Sequence, residues 1–69
     1  MKKLKLRLNV LLDNKHITRY ELAKKIGVGY PTLDRYYKNT ITHYNAETLL
    51  QICLALNCGI GDLLEITDE

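Results

Sequence analysis

The sequence predicts an all-α fold of five short helices in a single domain, residues 1–69. Three observations predict it. Apolar residues mostly recur at spacings of three and four, the period of a helix face. Helix-start signals precede those runs: Thr18 with Glu21 after it, Gly29 before Tyr30-Pro31, and Asn45 before Ala46. Residues that tolerate a left-handed exit, Gly27 and Asn57, follow two of them.

The first element is ambiguous. Leu4, Leu6, Leu8 and Val10 alternate as in a strand, while Leu4, Leu8, Leu11 and Leu12 fall at helical spacing. A helix from about Leu6 to Asn14 is expected, with the residues before it free to extend as a short edge strand. The second helix starts more clearly. Thr18-Arg19-Tyr20-Glu21 fits a capping box, in which the Thr18 hydroxyl accepts from the Glu21 amide and the Glu21 carboxylate accepts from the Thr18 amide. Ile17 can staple onto Leu22, and Leu22, Ala23 and Ile26 line one face until Gly27 ends the helix.

The third helix, about Tyr30 to Lys38, opens with a proline in a first turn that needs no amide there. Leu33, Tyr36 and Tyr37 share its inner face. Pro31, Arg35 and Lys38 point the other way, and Asp34 can pair with Lys38 one turn on. Asn39 to Tyr44 form a polar loop. Asn45 caps a fourth helix, Ala46 to Leu56, with a seam of Leu49, Ile52, Cys53 and Leu56. A short fifth helix is expected over Asp62 to Ile66, with Asp62 at its positive end.

Composition bounds the function. A chain of 69 residues forms one domain at most. It buries only about 60% of its unfolded surface, so pairing with a second copy is expected. Lacking Phe and Trp, its core must be mostly Leu and Ile. No stretch resembles a membrane span or a signal peptide, because Lys5 and Arg7 interrupt Leu4, Leu6 and Leu8. A cytoplasmic location with reduced thiols follows as an expectation. The net charge of +2 hides an asymmetry. Residues 1–44 hold all ten Lys and Arg against Asp13, Glu21 and Asp34, a balance of +7. Residues 45–69 hold Glu47, Asp62, Glu65, Asp68 and Glu69 without a Lys or Arg, a balance of −5. A basic part beside an acidic one fits one face for a polyanion and another that avoids it. Two solvated surfaces of opposite sign would look the same.

Catalytic and metal patterns are lacking. Cys53 and Cys58 lack Cys-x-x-Cys spacing, and His16 and His43 are not at ligand spacing to them, so inert buried thiols are expected. Gly27-Val28-Gly29 lacks the frame of a phosphate loop. Neither an enzyme nor a cofactor is expected. What remains is the second helix, the turn at Gly27 and the third helix. Together they read as a helix-turn-helix: Ala23 is small where two helices meet, Gly27 permits the turn, and Leu22, Ile26, Val28, Leu33 and Tyr36 sit inward. The start of the third helix then projects, ready for a DNA major groove.

From about Leu8 to Leu64 the chain resembles the Cro/C1-type repressors of the Xre family, with their lambda-repressor-like fold. The resemblance rests on Thr18-Arg19-Tyr20-Glu21-Leu22-Ala23, Gly27-Val28-Gly29, Thr32-Leu33-Asp34-Arg35, Glu47-Thr48-Leu49 and Ile60-Gly61-Asp62-Leu63-Leu64. It implies a role for each matching position. Bases would be read from Gly29, Tyr30, Pro31 and Arg35. Phosphates would be held by Arg19, where the family usually has Gln, and by Thr18, Thr32, Lys38, Asn39, Thr40, Thr42 and His43. Two departures matter. Gly29 replaces a common Ser or Thr and loses a cap, and Pro31 replaces a residue that is often polar and cannot bond a base edge. Arg35 is then the main reader, bidentate to a guanine. Tyr30 could pack on a thymine methyl or bond a phosphate.

Leu54 lies off the fourth-helix seam where the family often has a charge. With Leu50, and extended by Ile66, it makes a candidate dimer patch; a wide core stripe is the plainer reading. The expectation is a small transcription factor, a repressor, that binds double-stranded DNA as a homodimer. With no attached sensor domain, it would respond through concentration or another protein. The rivals are an antitoxin-like protein-interaction module using Leu50, Leu54 and the acidic end, and a non-specific nucleoid or RNA binder.

Overall fold

The computed structural model describes residues 1–68; Glu69, one of the acids counted above, lies outside them. The chain runs β1 (Lys2–Leu6), α1 (Leu8–Lys15), α2 (Arg19–Ile26), α3 (Tyr30–Lys38), α4 (Ala46–Leu56), α5 (Ile60–Leu63) and β2 (Leu64–Asp68). None of these helices is long and apolar enough to cross a membrane.

Five helices form among the described residues, but the fold is not all-α. β1 and β2 pair antiparallel, with Lys2 opposite Asp68, Lys3 opposite Thr67, Leu4 opposite Ile66, Lys5 opposite Glu65 and Leu6 opposite Leu64. The strand reading of Leu4 and Leu6 wins over the helical one for a long-range reason. Residues 64–68 supply an alternating partner with opposite charges across from Lys2 and Lys5. The first helix therefore starts at Leu8 rather than Leu6 and runs to Lys15. The fifth ends at Leu63, so Ile66 stands in a strand rather than in the expected helix over Asp62–Ile66. Its β-branched neighbours Ile66 and Thr67 suit that strand. The Arg7 amide donates to the Leu63 carbonyl at 2.6 Å, joining the chain just before α1 to the end of α5.

α2, α3 and α4 have the expected bounds. The core gathers Leu6, Leu8, Leu12, Leu22, Ala23, Leu33, Tyr36, Ile52, Cys53, Leu56 and Leu63 from six of the seven elements. It is aliphatic except for Cys53 and Tyr36; the Tyr36 hydroxyl accepts from the Asn45 amide at 2.9 Å and so leaves no orphaned polar atom inside. Leu50 and Leu54 remain 50% and 65% exposed, outside that core, so the wide-stripe reading does not hold. Cys53 is buried as expected, while Cys58 is only half-buried. Burial first, and the neighbouring Cys53 thiol next, push the Cys58 thiol up, which disfavours the reactive thiolate.

Candidate nucleic-acid interface

The α2–turn–α3 unit forms from its local signals. Thr18 Oγ1 accepts from the Glu21 amide and Glu21 Oε1 accepts from the Thr18 amide, both at 3.1 Å. Gly27 closes α2 at φ 73°, a left-handed value that favours glycine. Gly29 then caps α3 in extended backbone without a side-chain bond, leaving the first amides of that helix open. Leu22, Ala23, Leu33 and Tyr36 are buried between the two helices and the rest of the core, while Ile26 and Val28 are half-buried.

Gly29, Tyr30, Pro31 and Arg35 are all exposed at the start of α3 and one turn beyond it. Arg35 has no hydrogen-bond or ion-pair partner for its guanidinium among the described residues, so it is not tied to Asp34. Its charge faces solvent.

Asp34 instead joins two other cations. Arg19 Nη1 from the first turn of α2 bonds Asp34 Oδ1, and Lys38 Nζ lies 3.1 Å from Asp34 Oδ2. Lys38 chiefly, and Arg19 with it, hold the Asp34 carboxyl below the usual carboxylate range. The Arg19 guanidinium also lies 4.4 Å from the centroid of the Tyr37 ring and 5.9 Å from that of Tyr30. It is half-buried and fixed on three sides. Arg19 thus locks α2 to α3 as well as presenting charge.

Sequence reasoning missed Tyr20. It is 65% exposed, and its ring centroid lies 6.5 Å from that of Tyr30. The two rings form an aromatic step beside the open end of α3. The signal was its position: Tyr20 lies well off the α2 face that carries Leu22, Ala23 and Ile26, so the core has no use for it.

The loop after α3 splits the expected phosphate residues. Thr40, Thr42 and His43 are exposed, with Thr42 Oγ1 3.1 Å from His43 Nδ1. Thr18 is exposed at the α2 cap and Thr32 is half-buried. Asn39 differs from expectation. Its Oδ1 accepts from the Leu6 amide at 2.8 Å, and its Nδ2 donates to the Leu6 carbonyl at 3.0 Å. That carboxamide is committed inside the fold, because the end of β1 needs a partner for both polar groups of Leu6.

No curated protein matches the chain. Among solved structures it is similar to the transcriptional regulator VanUg, at 30% identity and a TM-score of 0.79, covering 99% of this chain and 89% of that one. It is also similar to a presumptive DNA-binding protein from Bacteroides fragilis, at 24% identity and a TM-score of 0.81, covering 91% and 100%. At that identity the second likeness is one of fold. A family model for the Cro/C1-type helix-turn-helix DNA-binding domain matches residues 7–69. That match spans nearly the whole chain, so the protein belongs to the Cro/C1-type helix-turn-helix DNA-binding domain family.

Proposed function

We propose that this protein is a transcriptional regulator that binds duplex DNA sequence-specifically, with α3 in the major groove. The observation that carries the reading is the state of Arg35. It is exposed and unpaired among the described residues, one turn beyond an uncapped helix start, while neighbouring cations are tied down by Asp34. A guanidinium so placed can take both acceptors of a guanine edge. Tyr30 and Tyr20 offer apolar surface to a thymine methyl, and the open amides of α3 favour a phosphate. Thr18, Arg19, Thr32, Lys38, Thr40, Thr42 and His43 would meet the backbone, positioning rather than reading. Asn39 supports that loop from behind.

The regulator would act in the cytoplasm as a homodimer on a palindrome, with half-sites about one helical turn apart. Repression by blocking polymerase is the proposed mode. Exposed Leu50 and Leu54, one turn apart on α4, are the proposed contact between copies. The same exposed pair favours the second reading, an interaction module for another protein. Salt separates the two, since DNA binding weakens steeply as salt rises and apolar pairing hardly responds.

The test is selection of sites from random duplex DNA, with the wild-type chain and with Arg35→Ala. A palindrome should emerge, and the variant should lose preference at one base pair per half-site and about 1–3 kcal/mol of affinity for the selected site. Equal weakening on selected and random DNA would refute the reading role of Arg35. No enrichment at all would refute the regulator.

A further inference from the structure

A groove of about 190 Å³ lies between β1 and the loop that follows α3, lined by Lys3, Lys5, Ile41, Tyr44, Asn39 and Thr67. We infer that this groove, through Lys3, is a second DNA-backbone contact that continues the helix-turn-helix interface past the end of α3. The inference rests on the DNA-binding reading above.

Strand alternation puts Lys2 on one face of β1 and Lys3 with Lys5 on the other, where Lys5 stands opposite Glu65. Lys2 and the terminal amine lie 3.8 and 3.5 Å from the Asp68 carboxylate, so that side carries its own counter-charge. Lys3 points the other way, opposite uncharged Thr67, is exposed, and has no ion-pair partner among the described residues. It lines the groove with the loop whose exposed Thr40, Thr42 and His43 are already proposed to meet phosphates.

The strand is also tied to the recognition helix. Asn39, the residue that ends α3, bonds both backbone groups of Leu6, the last residue of β1. A lysine three residues before that clamp is held at a set distance from α3 rather than on a loose arm. A phosphodiester seated over the groove neutralises Lys3.

The test is a salt titration of duplex binding by fluorescence anisotropy, using the full chain, a DNA site recovered by selection and a random duplex. Lys3→Gln is compared with Lys2→Gln, its neighbour on the opposite face. Lys3→Gln should weaken both duplexes on the order of fivefold near 0.15 M salt and reduce the salt slope by about one. Lys2→Gln should leave the slope unchanged. A wild-type slope in Lys3→Gln overturns the inference while the regulator reading stands. So does an equal loss in Lys2→Gln, which would report overall charge only. A wild-type chain that binds neither duplex overturns the DNA-binding reading and this inference with it.

Discussion

Arg19 and Asp34 join the two helices of the helix-turn-helix through a hydrogen-bonded ion pair, with Lys38 on the second oxygen of the same carboxylate. One acid thus sits among cations that the resemblance assigns to phosphate contacts. It orders them and also offsets part of their charge. Asp34→Asn should separate these effects. Removing the negative charge frees Arg19 and Lys38 for DNA, so affinity for all duplexes should rise and the salt slope should steepen by about one. Folding stability should fall at the same time. A variant that binds selected and random duplexes less well than wild type would mean that the lock matters more than the charge.

The same carboxylate sets a pH dependence. Its folded-state pKa is lowered, by Lys38 first and by Arg19 as well. The stability it contributes is therefore fully present above its unfolded value, about 3.9, and is lost as pH falls through the lower folded value. The difference in unfolding free energy between wild type and Asp34→Asn should be constant near neutral pH and shrink toward zero in acid. Urea denaturation of both proteins across that range reads it. A difference that grows on acidification would show the sign, and with it the ion network, to be misassigned.

Leu54, the most exposed leucine of α4, tests self-association. Leu54→Glu removes no core contact, so stability should change by less than about 0.5 kcal/mol. If Leu50 and Leu54 join two copies, the variant should sediment as a monomer at concentrations where wild type is a dimer. It should also lose affinity for a palindrome more than for a half-site. Wild type that sediments as a monomer both alone and on a half-site, and binds a palindrome no more tightly than a half-site, would remove the patch from the interface. Ile66, the third residue expected in that patch, stands in β2 rather than in a helix. It faces Leu4 across the sheet, and both are more than half exposed.

Local signals made α2, α3 and α4 legible. Thr18 with Glu21, Gly27, Gly29 with Pro31, Asn45 and Asn57 act within a few residues of themselves. The sheet was not legible in the same way. Lys2–Leu6 becomes a strand only because Leu64–Asp68 lies beside it, some sixty residues later. The site divides similarly. The exposure of Arg35 follows from helical phase alone. The Asp34 network needs α2 and α3 in place, since Arg19 is fifteen residues away from Asp34. The commitment of Asn39 to Leu6 likewise crosses thirty-three residues, where spacing carries no information.

Asn39 combines two duties that substitution can separate. It ends α3 at φ 60°, a conformation that side chains other than Asn and Asp resist, and its carboxamide makes two bonds to Leu6. Asn39→Gly keeps the backbone freedom and loses both bonds, which at about 1 kcal/mol each predicts a loss of about 2 kcal/mol. Asn39→Ala adds the left-handed penalty of about 1 kcal/mol, for about 3 kcal/mol in all. Both should reach the DNA interface indirectly, because β1 would no longer be held against the end of α3. Amide exchange at Leu6 should therefore speed up in both variants, by more than exchange at Leu33 in the core of α3. If Asn39→Gly were as stable as wild type, with Leu6 still protected, the clamp would contribute nothing. The position of Lys3 beside the α3–α4 loop would then need another cause.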